Sequence, residues 1–130
     1  MKKLFLMLAL FTLMLVAAGG DLWYTTAFLS KTHDNLDAAR VSIEANAGHL
    51  DNPETVRLCE KANAEWEKGK GVLMMLMHHN VVRYVDEKFV SLLEQVRLNN
   101  NDDASVTVKV LISYVKDLRE ENYPVLSNIF

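Results

Sequence analysis

Residues 21–50 read DLWYTTAFLSKTHDNLDAARVSIEANAGHL, with Leu or Ile at every seventh position. The repeat residues are Leu22, Leu29, Leu36, Ile43 and Leu50, and between them lie Thr25, Thr32, Ala39 and Asn46. A period of seven with one apolar and one small or polar position is typical of an α-helix that packs a seam against other helices. This stretch therefore predicts an all-α fold.

A turn follows the heptad segment at residues 48–54, GHLDNPE. Asp51 or Asn52 can cap a new helix, Pro53 fits its first turn, and Glu54 suits the positive N-terminal end of the helix dipole. This is the clearest boundary in the sequence, and it predicts a second helix that begins at Pro53.

The apolar spacing predicts that the second helix runs from Pro53 to about Leu98. Gly69 and Gly71 interrupt the spacing, and the apolar stripe shifts around His78 and Asn80. If the N-terminal segment is a membrane anchor, a straight second helix would carry charged side chains into the membrane, which is costly. A bend is then expected, and we place it at Gly69 to Gly71.

A third helix is predicted after the polar turn NNNDD at residues 99–103. Its apolar residues are spaced 4, 3, 4 and 3 and are Ala104, Val108, Leu111, Val115 and Leu118. The many β-branched residues make a strand the alternative, but the unbroken register favours a helix that Tyr123-Pro124 stops. Together the segments predict an antiparallel three-helix bundle or long helical hairpin behind an N-terminal apolar helix.

The N-terminal segment MKKLFLMLALFTLMLVAAGG, residues 1–20, places two lysines before an uncharged run. Such a run is either a cleaved signal peptide or a retained signal anchor whose apolar helix extends to about residue 29. We favour the anchor: a single pass with the N-terminus in the cytoplasm and residues 21–130 as an extracytoplasmic domain. The alternative is a body secreted after cleavage.

Composition excludes several classes of protein. A chain of 130 residues fits one domain. Without Lys2 and Lys3 the remaining charges sum to 12 − 17 = −5, so nucleic acid is an unexpected partner. The single cysteine, Cys59, excludes an intramolecular disulfide and a cysteine-based zinc site.

The chain resembles the domain of unknown function 4363 family, small membrane-anchored helical proteins of Firmicutes. The resemblance covers essentially the whole chain. It rests on the Trp66-Glu67-Lys68 stretch that reaches His79, on Asp86, on the helix after Asp102-Asp103, and on the ending Asn128-Ile129-Phe130. The family pattern has acidic residues shortly after the histidine, where this chain has Val81 and Arg83. The resemblance implies membrane attachment and no assigned chemistry.

The histidines offer only a weak signal for a metal site. His78 and His79 are adjacent and point about 100° apart on a helix, so they do not bind one metal together. His33 and Asp37 have the i, i+4 spacing, but Arg40 lies on the same side. Zinc needs three or four converging ligands, and we predict no metal and no other cofactor.

Trp66, the methionines and Cys59 fit the core of a helical bundle better than a ligand-binding or catalytic site. Trp66 and the methionines at positions 74, 75 and 77 have the spacing of core residues, and Cys59 lies on the same stripe as Trp66. No phosphate-binding loop or nucleophile motif is present in the sequence. We therefore expect no enzyme.

The predicted function is a non-enzymatic interaction or accessory module of the cell envelope. Its expected contacts are the membrane, through the N-terminal helix, and a protein partner or second copy, through a helix face. The candidate functional positions are Trp66, His79, Asp86, Asn128, Ile129 and Phe130. The apolar C-terminal tail is expected to pack on the bundle rather than dock to a partner. The alternative function is a small-ligand or metal sensor that uses Trp66 and His78 or His79.

Overall fold

The computed structural model describes residues 1–76 and 79–122. These residues form four α-helices: α1 (Lys2–Ala45), α2 (Pro53–Leu76), α3 (His79–Arg97) and α4 (Asn101–Asn122). Within the described ranges no β-strand occurs, so the all-α class is confirmed and the strand alternative for α4 is wrong.

The helix α1 has two halves with opposite surroundings. Every side chain from Met1 to Gly20 is exposed, whereas from Thr25 onward a buried position recurs every three or four residues. Gly19 and Gly20 do not interrupt the helix, which is continuous over 44 residues. The N-terminal half therefore projects from the body of the protein as a bare apolar helix.

The boundary between α1 and α2 is the predicted one. At the end of α1, the Asn46 backbone N–H donates to the Ser42 carbonyl at 3.0 Å. The Asn52 side-chain oxygen accepts a hydrogen bond from the Thr55 backbone N–H at 2.9 Å, and α2 begins at Pro53. The cap and the first-turn proline thus act as the sequence predicts.

The predicted extent of the second helix is wrong. It forms two helices, because α2 ends at Leu76 and α3, which begins at His79, packs back against α2. The helix α2 runs without a break through Gly69 and Gly71, so the bend expected there does not occur. The new helix begins at His79, next to the place in the sequence where the apolar stripe shifts.

The four helices form an up-down-up-down bundle in which α1 packs against α2 and α4, and α3 packs against the same two. The helices α1 and α2 are antiparallel, because residues earlier in α1 contact residues later in α2. The Ser42–Thr55 and Lys31–Glu65 pairs show this order. The same holds for α2–α3. The ends of α2 and α4 and the start of α3 therefore lie at the end of the bundle where the apolar half of α1 leaves it.

The core consists of one stripe from each helix together with Leu50 of the turn between α1 and α2. It contains Leu29, Leu36, Ile43, Leu50, Cys59, Ala62, Trp66, Leu73, Val82, Val85, Phe89, Leu92, Val96, Ala104, Val108, Leu111, Val115 and Leu118. The 4-3-4-3 stripe of α4 is thus buried as predicted, and so is the heptad seam, except that Leu22 and Asn46 are half-buried. The seam is covered by helices of the same chain, so a partner has to use other surfaces.

Candidate functional site

Trp66 lies at the centre of the candidate site, on the buried face of α2. Its side chain is fully buried, and its indole Nε1–H donates a hydrogen bond of 2.7 Å to Oδ1 of Asp86 on α3. A buried indole N–H needs such an acceptor, because an unpaired one costs about 1–3 kcal/mol. The bond joins two of the residues that carry the family resemblance.

The second oxygen of Asp86 accepts a hydrogen bond from Lys70, one turn after Trp66 on α2. The Lys70 Nζ–Asp86 Oδ2 distance is 3.2 Å, and the same ammonium group lies 2.9 Å from Glu67. The hydrogen bond to Glu67, followed by the bond and charge of Asp86, raises the pKa of Lys70 against the opposing effect of its burial. Lys70 therefore stays charged at neutral pH and holds Asp86 in place.

Two phenylalanine rings flank the indole. Phe28 of α1 stacks on Trp66 at 5.6 Å between ring centroids and 26° between planes, and Phe89 of α3 does so at 6.0 Å and 29°. The Phe28 ring fits because Gly69 has no side chain, since a Cβ there would come within 2.2 Å of the ring. Trp66 thus connects three helices by packing and two of them by a hydrogen bond.

The polar groups around Trp66 join the helices to one another. The Trp66 N–H and both Asp86 oxygens are already occupied by partners in the chain. Two turns before Trp66 on α2, burial, with a smaller contribution from Glu60, raises the pKa of the Cys59 thiol to about 12. A protonated, buried thiol is a poor nucleophile and metal ligand.

The structure separates the predicted site residues into three groups. Trp66 and Asp86 come together. His79 does not join them: its side chain is exposed at the first residue of α3. His78 and the ending Asn128-Ile129-Phe130 lie outside the described residues. Over residues 1–76 and 79–122, no three His, Cys, Asp or Glu side chains are grouped so that they could hold a metal ion.

Sequence reasoning missed the partners of Trp66. In the cluster around Trp66, the sequence predicted a bend at Gly69 and indicated no role for Lys70 or Phe89. The spacing held a signal for two of them, because Gly69 and Lys70 follow Trp66 at i+3 and i+4 and so share its side of α2. No signal in one sequence pairs Trp66 with Phe28, which lies 38 positions away on another helix.

Comparison with known proteins gives one finding. The family model described as Domain of unknown function (DUF4363) matches residues 23–129. Neither a curated protein nor a solved structure is detectably similar to the chain. The match covers the whole bundle and begins where the exposed half of α1 ends.

Proposed function

The chain belongs to the DUF4363 family, and from this premise we propose that it is a non-enzymatic interaction module held on the outer side of the cytoplasmic membrane. In this proposal the N-terminal half of α1 is a retained single-pass anchor, with Lys2 and Lys3 in the cytoplasm. The four-helix bundle is then displayed outside the cytoplasm.

The exposed apolar half of α1 carries the proposal. Its most apolar stretch has a mean hydropathy of 2.0, and none of that stretch is buried against the bundle. Phe5 and Phe11 are 80% and 64% exposed, and the leucines and the methionine between them are exposed as well. An apolar surface of this extent is unfavourable in water, whereas a helix of about 17 to 25 apolar residues fits the hydrocarbon layer.

The side of the membrane follows from charge. Lys2 and Lys3 precede the apolar stretch, and the first residue with a charge after it is Asp21. Positive residues near the end of a membrane helix favour the cytoplasmic side, so the bundle is expected outside.

We favour a role in protein contact over catalysis, because the side chains capable of chemistry around Trp66 are buried or already paired within the chain. Trp66 and Asp86 satisfy each other, and Cys59 is buried in the core. The sensor alternative used Trp66 with His78 or His79; His79 is exposed and does not join Trp66, and His78 lies outside the described residues. Outward-facing apolar side chains remain for a partner, among them Val41, Val90 and Val106, which are 53%, 64% and 61% exposed.

The test combines intact mass with topology. Untagged protein is recovered from fractionated cells, and single-cysteine variants Val90→Cys and Lys3→Cys, in a Cys59→Ala background, are treated on intact cells with a membrane-impermeant maleimide. We expect the full-length mass in the membrane fraction, labelling at position 90, and labelling at position 3 only after the cells are lysed.

A soluble species shorter by about twenty residues would overturn the anchor and indicate a secreted bundle. Full-length protein with position 3 labelled on intact cells would reverse the orientation. Stoichiometric metal or haem in the purified protein would overturn the non-enzymatic interaction role and favour the sensor.

A further inference from the structure

The apolar half of α1 is slightly short for a membrane span. From Leu4 to Gly20 the helix rises about 25 Å at 1.5 Å per residue, while a hydrocarbon layer is about 30 Å thick. The missing length corresponds to about three residues of helix. Local thinning of the bilayer accommodates a short span of this kind, which keeps Asp21 at the edge of the hydrocarbon layer and places Trp23 just outside it, at the interface. Trp23 is 75% exposed, and tryptophan is enriched at that depth.

The bundle begins at the level of Trp23, because α1 continues from its apolar half into the bundle without a linker. Leu22 is already half-buried in the bundle, and Thr25 is fully buried. Phe28 of α1 contacts Gly69 of α2, and the two helices are antiparallel. Six residues beyond Gly69, Met75 is thus level with Leu22, at the edge of the hydrocarbon layer.

The side chains at this height have interfacial character. Met75 is 85% exposed, although methionine is apolar, and Tyr24 is 46% exposed beside Trp23. A groove of about 430 Å³ lies between α1 and α2 and extends from this height away from the membrane. Its lining includes Trp23, Tyr24, Phe28, Lys31, Glu65 and Lys68. Aromatic rings with a polar tip and long cationic side chains are the types found at lipid headgroups.

The charge of the groove is complementary to phosphate. Lys31 and Lys68 lie 3.1 Å and 3.6 Å from the same carboxylate, Glu65. The hydrogen bond from Lys31 lowers the pKa of Glu65, so this carboxylate is charged at neutral pH. Two lysines around one carboxylate leave one net positive charge. The Lys68 side chain is 74% exposed even with its ammonium group 3.6 Å from Glu65, so it is accessible to lipid phosphates.

We infer that the base of the bundle, defined as Trp23, Tyr24, Lys68 and Met75, contacts the phospholipid headgroup layer of the membrane that α1 crosses. The inference rests on the proposed anchor. It adds that the bundle stands upright on the bilayer instead of moving freely above it, with Met75 at the hydrocarbon edge and Lys68 among the phosphates.

The experiment measures depth with a fluorophore at three heights. Met75→Cys, Val90→Cys and Leu98→Cys variants of the full chain, in a Cys59→Ala background, are labelled with an environment-sensitive dye. They are reconstituted in vesicles of phosphatidylcholine and phosphatidylglycerol that carry a nitroxide on some headgroups. Val90 lies midway along the bundle, and Leu98, which is 72% exposed, lies near its far end.

We expect headgroup quenching to be severalfold stronger at position 75 than at 98, with 90 between them, and iodide in the water to give the reverse order. Equal quenching at 75 and 98 would overturn the inference, because the bundle would then lie flat or move freely. Flotation of the vesicles separates this failure from that of the anchor: protein that does not float overturns both proposals.

A charge-reversal pair tests the role of Lys68. Lys68→Glu is compared with Lys61→Glu, which lies one heptad away on the same side of α2 and farther from the membrane. We expect Lys68→Glu to weaken headgroup quenching at position 75 more than Lys61→Glu does in phosphatidylglycerol vesicles. An equal effect of both variants would overturn the contact of Lys68 with lipid phosphates.

Discussion

Trp66 has three partners on other helices: two stacked rings and one carboxylate. Its indole N–H is the polar part of an otherwise apolar contact among α1, α2 and α3. The surroundings of this residue therefore give the sharpest tests of how the bundle is held together.

The first prediction concerns the acceptor of the Trp66 N–H. Asp86→Asn keeps an oxygen for the indole and loses only the ion pair with Lys70, so we expect a loss of at most about 1 kcal/mol. Asp86→Leu leaves the buried N–H without a partner and is expected to lower the free energy of unfolding by about 1–3 kcal/mol. Urea unfolding at neutral pH measures both.

His79→Ala is the matched control from the same helix. Its side chain is exposed, so we expect a change within about 0.5 kcal/mol. If Asp86→Asn and Asp86→Leu were equally stable, the hydrogen bond to Trp66 would contribute nothing to folding.

The two glycines of α2 give the second prediction. A methyl group at Gly71 meets no atom within 4 Å, so Gly71→Ala is expected to stabilise the helix by up to about 1 kcal/mol. At Gly69 the same methyl group has to displace the Phe28 ring. We expect Gly69→Ala to be less stable than Gly71→Ala by about 1–3 kcal/mol, since stacking and burial of Phe28 are lost.

Thermal unfolding of both variants is repeated in a Phe28→Ala background. There the conflict is removed, and Gly69→Ala should become stabilising like Gly71→Ala. Equal stability of the two alanine variants in the otherwise unchanged protein would show that Phe28 does not need the space at Gly69.

At the scale of elements, the turn between α3 and α4 is tied to the turn between α1 and α2. Asn99 has a left-handed backbone with φ 56°. Its side-chain oxygen accepts from the Leu50 backbone N–H at 2.9 Å, and its amide donates to the Gly48 carbonyl at 2.8 Å. One side chain thus joins the two turns at the end of the bundle opposite to the apolar helix.

The third prediction separates the backbone of Asn99 from its side chain. Asn99→Gly keeps the left-handed turn and loses both bonds between the turns, for an expected loss of about 1–3 kcal/mol. Asn99→Ala loses the same bonds and adds about 1–2 kcal/mol of backbone strain. Chemical denaturation ranks the variants, and a glycine variant as stable as the natural protein would mean that the bonds are replaced by water without cost.

The fourth prediction belongs to the whole molecule. No side chain from Met1 to Gly20 is buried, so the core is complete without them. A chain that starts at Asp21 is therefore expected to be a soluble, cooperatively folding helical protein, as measured by circular dichroism and light scattering. Aggregation or loss of helix in this shortened chain would show that the apolar segment is needed for folding.

The sequence by itself determined the helical class, the apolar N-terminal segment, the start of α2 and the buried stripes of α1 and α4. These features depend on local patterns: a period near 3.6 residues, a capping asparagine before a proline, and a long run without charge. Such patterns act between residues a few positions apart, and one sequence displays them directly.

The tertiary structure alone decided where the second helix ends and what surrounds Trp66. The two glycines of α2 predicted a bend. In the structure the Phe28 ring occupies the space that a side chain at Gly69 would take, and the helix continues to Leu76. The pairing of Trp66 with Asp86 joins positions 20 apart across two helices. Such contacts depend on how α3 folds back, because the energy of a helix boundary or a buried polar pair is set by its neighbours in space.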